Sequence, residues 1–436
     1  MKITFLSLIL LISSLLPQSS EVFHQRRETV HQQLHGRSAI ILFTSSIHIR
    51  NGDVGFDFRP DNDYWYLTGH DEPGGILMMI SRELLSKTNL VNNEILFVQP
   101  RNPKIEVWTG RRLGVEGVKR ELGFNSSEPV DSFEDRLENL LPNIDTLYTN
   151  ITTSNRFGVP TIVTDILENY DLTNIEQKNV GDFIHAMRHV KSDEEVKYLQ
   201  KAIDVTGKAL EEAMMLTKPG IKENNIEAAI EFIYRDAGCE RPGFPSIVGS
   251  GPNSTILHYT KNNRTMKDGD LLLMDVGAEY NMYTADISRT IPVNGRFSES
   301  QAELYSYVFD AQQTVFDSVQ VGMTIKDIHL IGKEYLTERG FGQYFIHGIG
   351  HWLGLDVHDV GGHHAPIKIG SVFTIEPGIY IAEDDTTVDE HYRGIGIRIE
   401  DVVLMTEDGP MWLSNGIPKK IKEIERIMRR RAKRIR

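Results

Sequence analysis

Two rhythms of hydrophobic and polar positions divide this chain. From Glu21 to Val180, apolar runs of strand length (Ala39 to Phe43, Ile76 to Ile80, Ile95 to Val98, Thr146 to Tyr148) alternate with stretches of helical spacing at Val22 to Leu34 and Phe133 to Leu141. Such alternation predicts an α/β domain. At DFIHAMRHVKSDEEVKYLQKAI the rhythm changes, because Ser192 with Glu195 three residues on forms a capping box that opens a long amphipathic helix. The predicted boundary lies just before it, giving domains at 21–180 and 181–420 with a basic tail at 421–436.

In the second half, Lys218-Pro219-Gly220 breaks the chain and Asn225 to Asp236 reads as a helix. Helices at Gln301 to Val319 and Ile325 to Arg339 then separate an apolar hairpin, LLLMDVGAEYNMYTADISRTIPV, from the strand-like segments FTIEPGIYI and GIGIRIEDVVL. Helices interleaved with antiparallel strands make this half α+β. A hairpin turn at Tyr280-Asn281 would set Asp275 directly opposite Asp286.

A length of 436 residues exceeds one ordinary core and fits two domains. The 61 acidic and 47 basic residues leave a formal charge of -14, which argues against nucleic acid as a partner. MKITFLSLILLISSLLPQSS places Lys2 before a short apolar run and reads as a secretory signal peptide over 1–20, predicting export to a periplasm or the exterior with no stable membrane insertion, a cytoplasmic location being the alternative. With Cys239 as the sole cysteine, neither an intrachain disulfide nor a thiolate metal cage can form. The tail KKIKEIERIMRRRAKRIR reads as a solvated amphipathic helix.

The chemistry concentrates in the last third. Asp275, Asp286, His351, Glu376 and Glu400 are potential metal ligands set in apolar runs. Unpaired buried carboxylates cost several kcal/mol, roughly, so such a cluster implies a compensating cation. Facing aspartates on a hairpin also repel unless a cation lies between them. Four carboxylates and an imidazole suit Mn²⁺, Fe²⁺, Co²⁺ or Zn²⁺, and two divalent ions balance them better than one. HGIGHWLGLDVHD brings His347, His351 and His358 together, and spacing alone does not decide which of His347 and His351 binds metal. Arg398 lies two residues before Glu400, on the same face of a strand. No H-E-x-x-H helix, G-x-S-x-G elbow or phosphate loop is present, which leaves a dimetal hydrolase.

The ordered set Asp275, Asp286, His351, Glu376, Glu400, with HGIGHWLGLDVHD and GIGIRIEDVV, resembles the aminopeptidase P and prolidase family of dinuclear metallopeptidases. RPDNDYWYLTGHDEPGG, WTGRRLG and IVGSGPNSTILHYTKNN extend the resemblance over nearly the whole chain. It implies a pita-bread catalytic domain with a curved antiparallel sheet, preceded by an α/β domain. It also implies hydrolysis of the N-terminal Xaa-Pro bond of peptides by a metal-bridging hydroxide, with Mn²⁺, or else Co²⁺ or Zn²⁺, as the two ions.

By the same resemblance Asp275 chelates one ion, Asp286 and Glu400 bridge both, and His351 and Glu376 complete the second. Glu376 relays a proton to the leaving proline nitrogen; His258, His347 and His358 border the substrate, and Arg398 supports the carboxylates. A homodimer or homotetramer is expected. Two other readings remain open: an Xaa-Pro dipeptidase, and a non-catalytic binding module that keeps the fold.

Overall fold

The computed structural model describes residues 18–150 and 170–430 and divides into two compact units, one ending at Ile184 and the other starting at His185. Residues 1–17 of the expected leader and 431–436 of the basic tail lie outside the described residues. Among the described residues no helix is long and apolar enough to cross a membrane.

The first unit is a six-stranded mixed sheet in the order Ser127–Pro129, Glu94–Val98, Ile76–Ile80, Ser38–Phe43, Thr146–Thr149, Glu176–Asn179. The central strands Ser38–Phe43, Ile76–Ile80 and Glu94–Val98 are buried along their whole length, which is why they appear in the sequence as continuous apolar runs. Phe97 and Phe43 meet Phe133 edge to face at 5.2 and 6.5 Å, fixing the helix Phe133–Leu140 on the sheet.

The second unit opens with the helix Asp193–Leu216. Its predicted capping box is formed: Glu195 N donates to Ser192 Oγ at 3.3 Å, and Ser192 N donates to Glu195 Oε2 at 2.9 Å. Behind it come short antiparallel sheets. Ile247–Ser250, Leu271–Val276 and Ile287–Pro292 form one; Val372–Ile375, Asp401–Thr406 and Gly409–Trp412 form another; Gly378–Ile381 pairs with Ile395–Arg398. From the helix Glu299–Ser318, Gln312 Nε2 donates to the Ile375 and Ile399 carbonyls and to Asp401 Oδ2, holding the paired ends of Val372–Ile375 and Asp401–Thr406 to the helix.

The hairpin differs from the expected register. Asn281 and Met282 both have positive φ, 53° and 72°, so the turn is one residue later than Tyr280-Asn281 and has the type I′ hand that suits a two-residue hairpin. Asp275 therefore pairs with Ser288, not with Asp286. The slip is two positions along the partner strand, which preserves the face.

Candidate metal centre

Three of the candidate ligands sit where a strand stops, while Asp275 lies within Leu271–Val276. Asp286 follows Tyr283–Thr284 and precedes Ile287–Pro292; Glu376 separates Val372–Ile375 from Gly378–Ile381; Glu400 separates Ile395–Arg398 from Asp401–Thr406. At the kink before Asp286 the chain passes Gly277, where any Cβ would run into the Ala285 carbonyl. His351 is placed by an extended segment beside Val372–Ile375: its N–H donates to Thr374 Oγ1 at 3.2 Å, and Thr374 N donates to its carbonyl at 2.9 Å.

These interruptions bring one imidazole among three carboxylates. His351 Nε2 lies 3.3 Å from Asp286 Oδ2, 3.5 Å from Glu376 Oε1 and 3.8 Å from Glu400 Oε1. Its Nδ1 is 3.0 Å from the Trp352 carbonyl, an acceptor that fixes the proton on Nδ1 and leaves the Nε2 lone pair toward the acids. One atom each from Asp286, His351 and Glu400 fall within 4.8 Å of one another, the spacing of a shared cation. Asp275 joins through Arg398, whose Nη2 donates to Asp275 Oδ2 at 2.6 Å.

The donor set fits divalent metal on its own terms. Asp275 Oδ1, Asp286 Oδ1 and Glu400 Oε1 are buried without a hydrogen-bond partner, a costly state for carboxylate oxygens unless a cation takes them. Burial and the negative charge of Glu400 and Asp275 push the Asp286 carboxyl well above its usual range. Burial and Glu400 do the same to Glu376, and burial and Asp275 raise Glu400 to about 7.

Around this cluster lies a cavity of about 410 Å³ whose lining includes Leu257, His258, His347, His358 and Trp352 beside the five candidate ligands and Arg398. The His358 ring packs against His351 at 4.3 Å between centroids, tilted by 60°. Burial, then the neighbouring histidines, lowers the His358 pKa to about 4. His347 is lowered to about 3 by burial and by Arg398. It is neutral, and both its nitrogens are engaged: Nδ1 at 2.8 Å from the Gly348 carbonyl, Nε2 at 2.8 Å from the Tyr380 hydroxyl. Tyr380 in turn accepts from Arg398 Nη1 at 2.9 Å, so its own proton goes to His347.

Metallopeptidase family M24 matches residues 197–407, and the aminopeptidase P N-terminal domain matches residues 23–148. The chain is 38% identical to the Xaa-Pro aminopeptidase of Haemophilus influenzae over 94% of its own length and 97% of that protein's, and 35% identical to that of Escherichia coli over 94% and 98%. The structure of E. coli aminopeptidase P with the inhibitor Pro-Leu superposes with a TM-score of 0.84 at 34% identity, covering 95% of this chain and 99% of that one. The chain belongs to the aminopeptidase P family.

As a family member it is a two-domain α+β protein whose second domain is a pita-bread metallopeptidase fold, as the motifs implied. The structure brings all nine expected site residues of this aminopeptidase P homologue into one cavity lining: Asp275, Asp286, His351, Glu376, Glu400, His258, His347, His358 and Arg398.

Three contributors were not found from sequence. Ser288 Oγ donates to Glu400 Oε2 at 3.0 Å and accepts from Arg398 Nε at 2.8 Å. Arg289, fully buried, donates to the Ser288 and Glu400 carbonyls at 2.9 and 2.7 Å, clamping two ligand-bearing strands from behind. Glu223 accepts from Ser250 N, Ser250 Oγ and Asn253 Nδ2 through Oε1 and from Tyr259 and Arg264 N through Oε2, which fixes the loop that carries His258. Of these, only Ser288 had a signal in the sequence, its place two residues after Asp286 on the same face.

Proposed function

We propose that this chain is an aminopeptidase that hydrolyses the N-terminal Xaa-Pro bond of peptides, with two divalent ions, Mn²⁺ or else Co²⁺ or Zn²⁺, held by Asp275, Asp286, His351, Glu376 and Glu400. The observation that carries it is the convergence of His351 Nε2 on Asp286, Glu376 and Glu400 within 3.8 Å, beside carboxylate oxygens with no other partner. Divalent metal bound there supplies a Lewis acid and acidifies water to a nucleophile at neutral pH.

The protein's own groups do the rest. Glu376, 3.5 Å from His351 Nε2, is the carboxylate placed to take the proton given up by the attacking water and pass it to the leaving proline nitrogen. A proline nitrogen carries no N–H in the peptide, so this proton is the one that makes it a leaving amine. His258 and His358 border the reacting carbonyl from the cavity wall. His347, tied to Tyr380 and Gly348, keeps one wall rigid and neutral.

Export by the leader and assembly into a dimer or tetramer belong to the same proposal, tested by cell fractionation and by light scattering of the purified protein. The catalytic reading is tested with chelator-stripped protein, Arg-Pro-Pro and the dipeptide Ala-Pro, before and after Mn²⁺, with Asp286→Ala as control. Mn²⁺-dependent release of arginine, lost in the control, is the expected result. Cleavage of Ala-Pro alone would make the protein a dipeptidase, and cleavage of neither would leave a binding module.

A further inference from the structure

A second charged cluster lies against the metal centre and is not used by the reaction as described. The Asp359 carboxylate, 1% exposed, accepts from Lys191 Nζ at 2.9 Å through Oδ2 and from Arg188 Nη2 at 2.6 Å through Oδ1. The same Arg188 nitrogen reaches Asp356 Oδ2 at 2.8 Å. The Lys191 and Arg188 side chains are themselves 1% and 3% exposed. Burial works against the Asp359 charge, but Lys191 and Arg188 outweigh it and hold the carboxyl below its usual range. Buried ion clusters of this kind seldom exceed well-packed apolar residues in stability, so what they add is geometry.

The geometry here bears on His358, the residue just before Asp359. Among the described residues the His358 ring has no hydrogen-bond partner; it packs at a tilt of 60° against His351, and the rest of its placement comes from its backbone. That backbone is pinned at Asp359, whose N–H donates to the Trp352 carbonyl at 2.9 Å and whose side chain is held by Lys191 and Arg188. Gly354 has no room for a side chain because Asp359 fills the space beside it. Between the two cations, His189 packs on the Trp352 ring at 4.3 Å, so the short segment Arg188–Lys191 grips this loop at several points.

We propose that Lys191 and Arg188 are positioning residues of the aminopeptidase, holding His358 against the reacting centre through Asp359. The inference rests on the catalytic reading above only for what His358 does, not for how it is placed. A displacement of about 1 Å at a reacting group can cost on the order of 100-fold in rate. Lys191→Met keeps the stem and removes the charge; it is expected to lower kcat on Arg-Pro-Pro by ~10- to 100-fold with KM within about twofold, and Lys191→Arg to restore most of it.

The deciding measurement is a double-mutant cycle. In a His358→Ala background Lys191→Met is expected to cause no further loss, because the group it positions is gone. Equal losses in both backgrounds, or full activity of Lys191→Met, would overturn the proposal. Imidazole ¹⁵N NMR of the metal-free protein gives a readout independent of turnover. The His358 signal, assigned by its disappearance in His358→Ala, should move in Lys191→Met and in Asp359→Asn while that of His258 stays. An unmoved His358 signal also overturns the inference. Absence of wild-type hydrolysis, by contrast, would overturn the catalytic reading and leave the NMR result to decide the positioning.

Discussion

Arg398 donates to Asp275 at 2.6 Å through Asp275 Oδ2, while Asp275 Oδ1 is buried with no protein partner. The guanidinium commits one oxygen and leaves the other for a cation. Its remaining nitrogens reach Ser288 Oγ at 2.8 Å and the Tyr380 hydroxyl at 2.9 Å, so one side chain orders Asp275, the Glu400 partner Ser288 and the wall residue His347. Loss of such a supporting group typically costs about 10- to 100-fold in metal affinity. Arg398→Met should show that loss when Mn²⁺ is titrated calorimetrically into stripped protein. Arg398→Lys should recover only part of it, since a point charge cannot span three acceptors. Wild-type affinity in Arg398→Met would remove this residue from the support of the site.

The metal-free protein should become less stable as pH rises across the range where Glu400 titrates. The folded carboxyl is raised to about 7 from an ordinary value of 4.5, so its favourable contribution is fully present below about pH 4.5 and is lost as pH rises through 7. Replacing it with Gln removes that dependence. In chelator, the stability of Glu400→Gln relative to wild type should grow from near zero at pH 4.5 to a plateau above pH 7, read by urea denaturation. A difference that does not vary with pH would contradict the raised carboxyl. Saturating Mn²⁺ should reverse the order at pH 7.5, because the ion binds the ionised carboxylate and not the amide.

Much of this was legible because burial leaves a pattern. The strands Ser38–Phe43 and Ile76–Ile80 are covered on both faces and so appear as unbroken apolar runs, and Ser192 with Glu195 announces its helix three residues apart. The candidate ligands were legible for the opposite reason, as carboxylates where apolar residues belong. The hairpin register was not, because Met282 occupies a positive-φ turn position that glycine normally marks. Arg289 and Glu223 were invisible for a third reason. Arg289 is held by Asp401 and by the Glu400, Ile417 and Pro418 carbonyls, more than a hundred residues away, and no local pattern encodes such a pairing.

Met282 also gives a prediction free of the chemistry. A non-glycine residue in the left-handed region costs about 1 kcal/mol, and the second central position of a type I′ turn favours glycine. Met282→Gly should therefore stabilise the folded protein by up to ~1 kcal/mol, with unchanged turnover of Arg-Pro-Pro. A lower urea midpoint would mean that the methionine side chain contributes more than the backbone strain.

Behind the metal centre, Asp401 holds two cations in a buried setting: Arg289 Nη2 at 2.7 Å and Lys419 Nζ at 2.9 Å. Its carboxyl stays below the usual range because, although burial pushes it up, Arg289 and Lys419 outweigh that effect. Removing one partner of a buried pair leaves the other uncompensated and costs about 3–5 kcal/mol. Asp401→Ala should lose stability on that order by urea denaturation. It should also weaken Mn²⁺ binding, because Arg289 clamps the Ser288 and Glu400 carbonyls. A stable variant with wild-type metal affinity would show that the clamp is not needed.

Gly277 tests whether the kink before Asp286 is what aims that ligand. The chain there approaches itself so closely that an added Cβ would strike the Ala285 carbonyl and also lie 3.0 Å from the Phe244 ring, and neither a backbone carbonyl nor a packed ring gives way cheaply. Ala285 N donates to the Ala278 carbonyl at 2.9 Å and Gly243 N to the Gly277 carbonyl at 2.9 Å, so the two strands cannot separate without losing these bonds. The strain in Gly277→Ala must then move residue 285, and Asp286 with it. The expected outcome is a folded protein with a cooperative melt, Mn²⁺ affinity reduced by at least about tenfold as for loss of a supporting contact, and turnover reduced in proportion at limiting metal. Excess Mn²⁺ should restore part of the activity, which separates a misplaced ligand from a collapsed site. Normal affinity in Gly277→Ala would show that Asp286 is placed by its own strand alone.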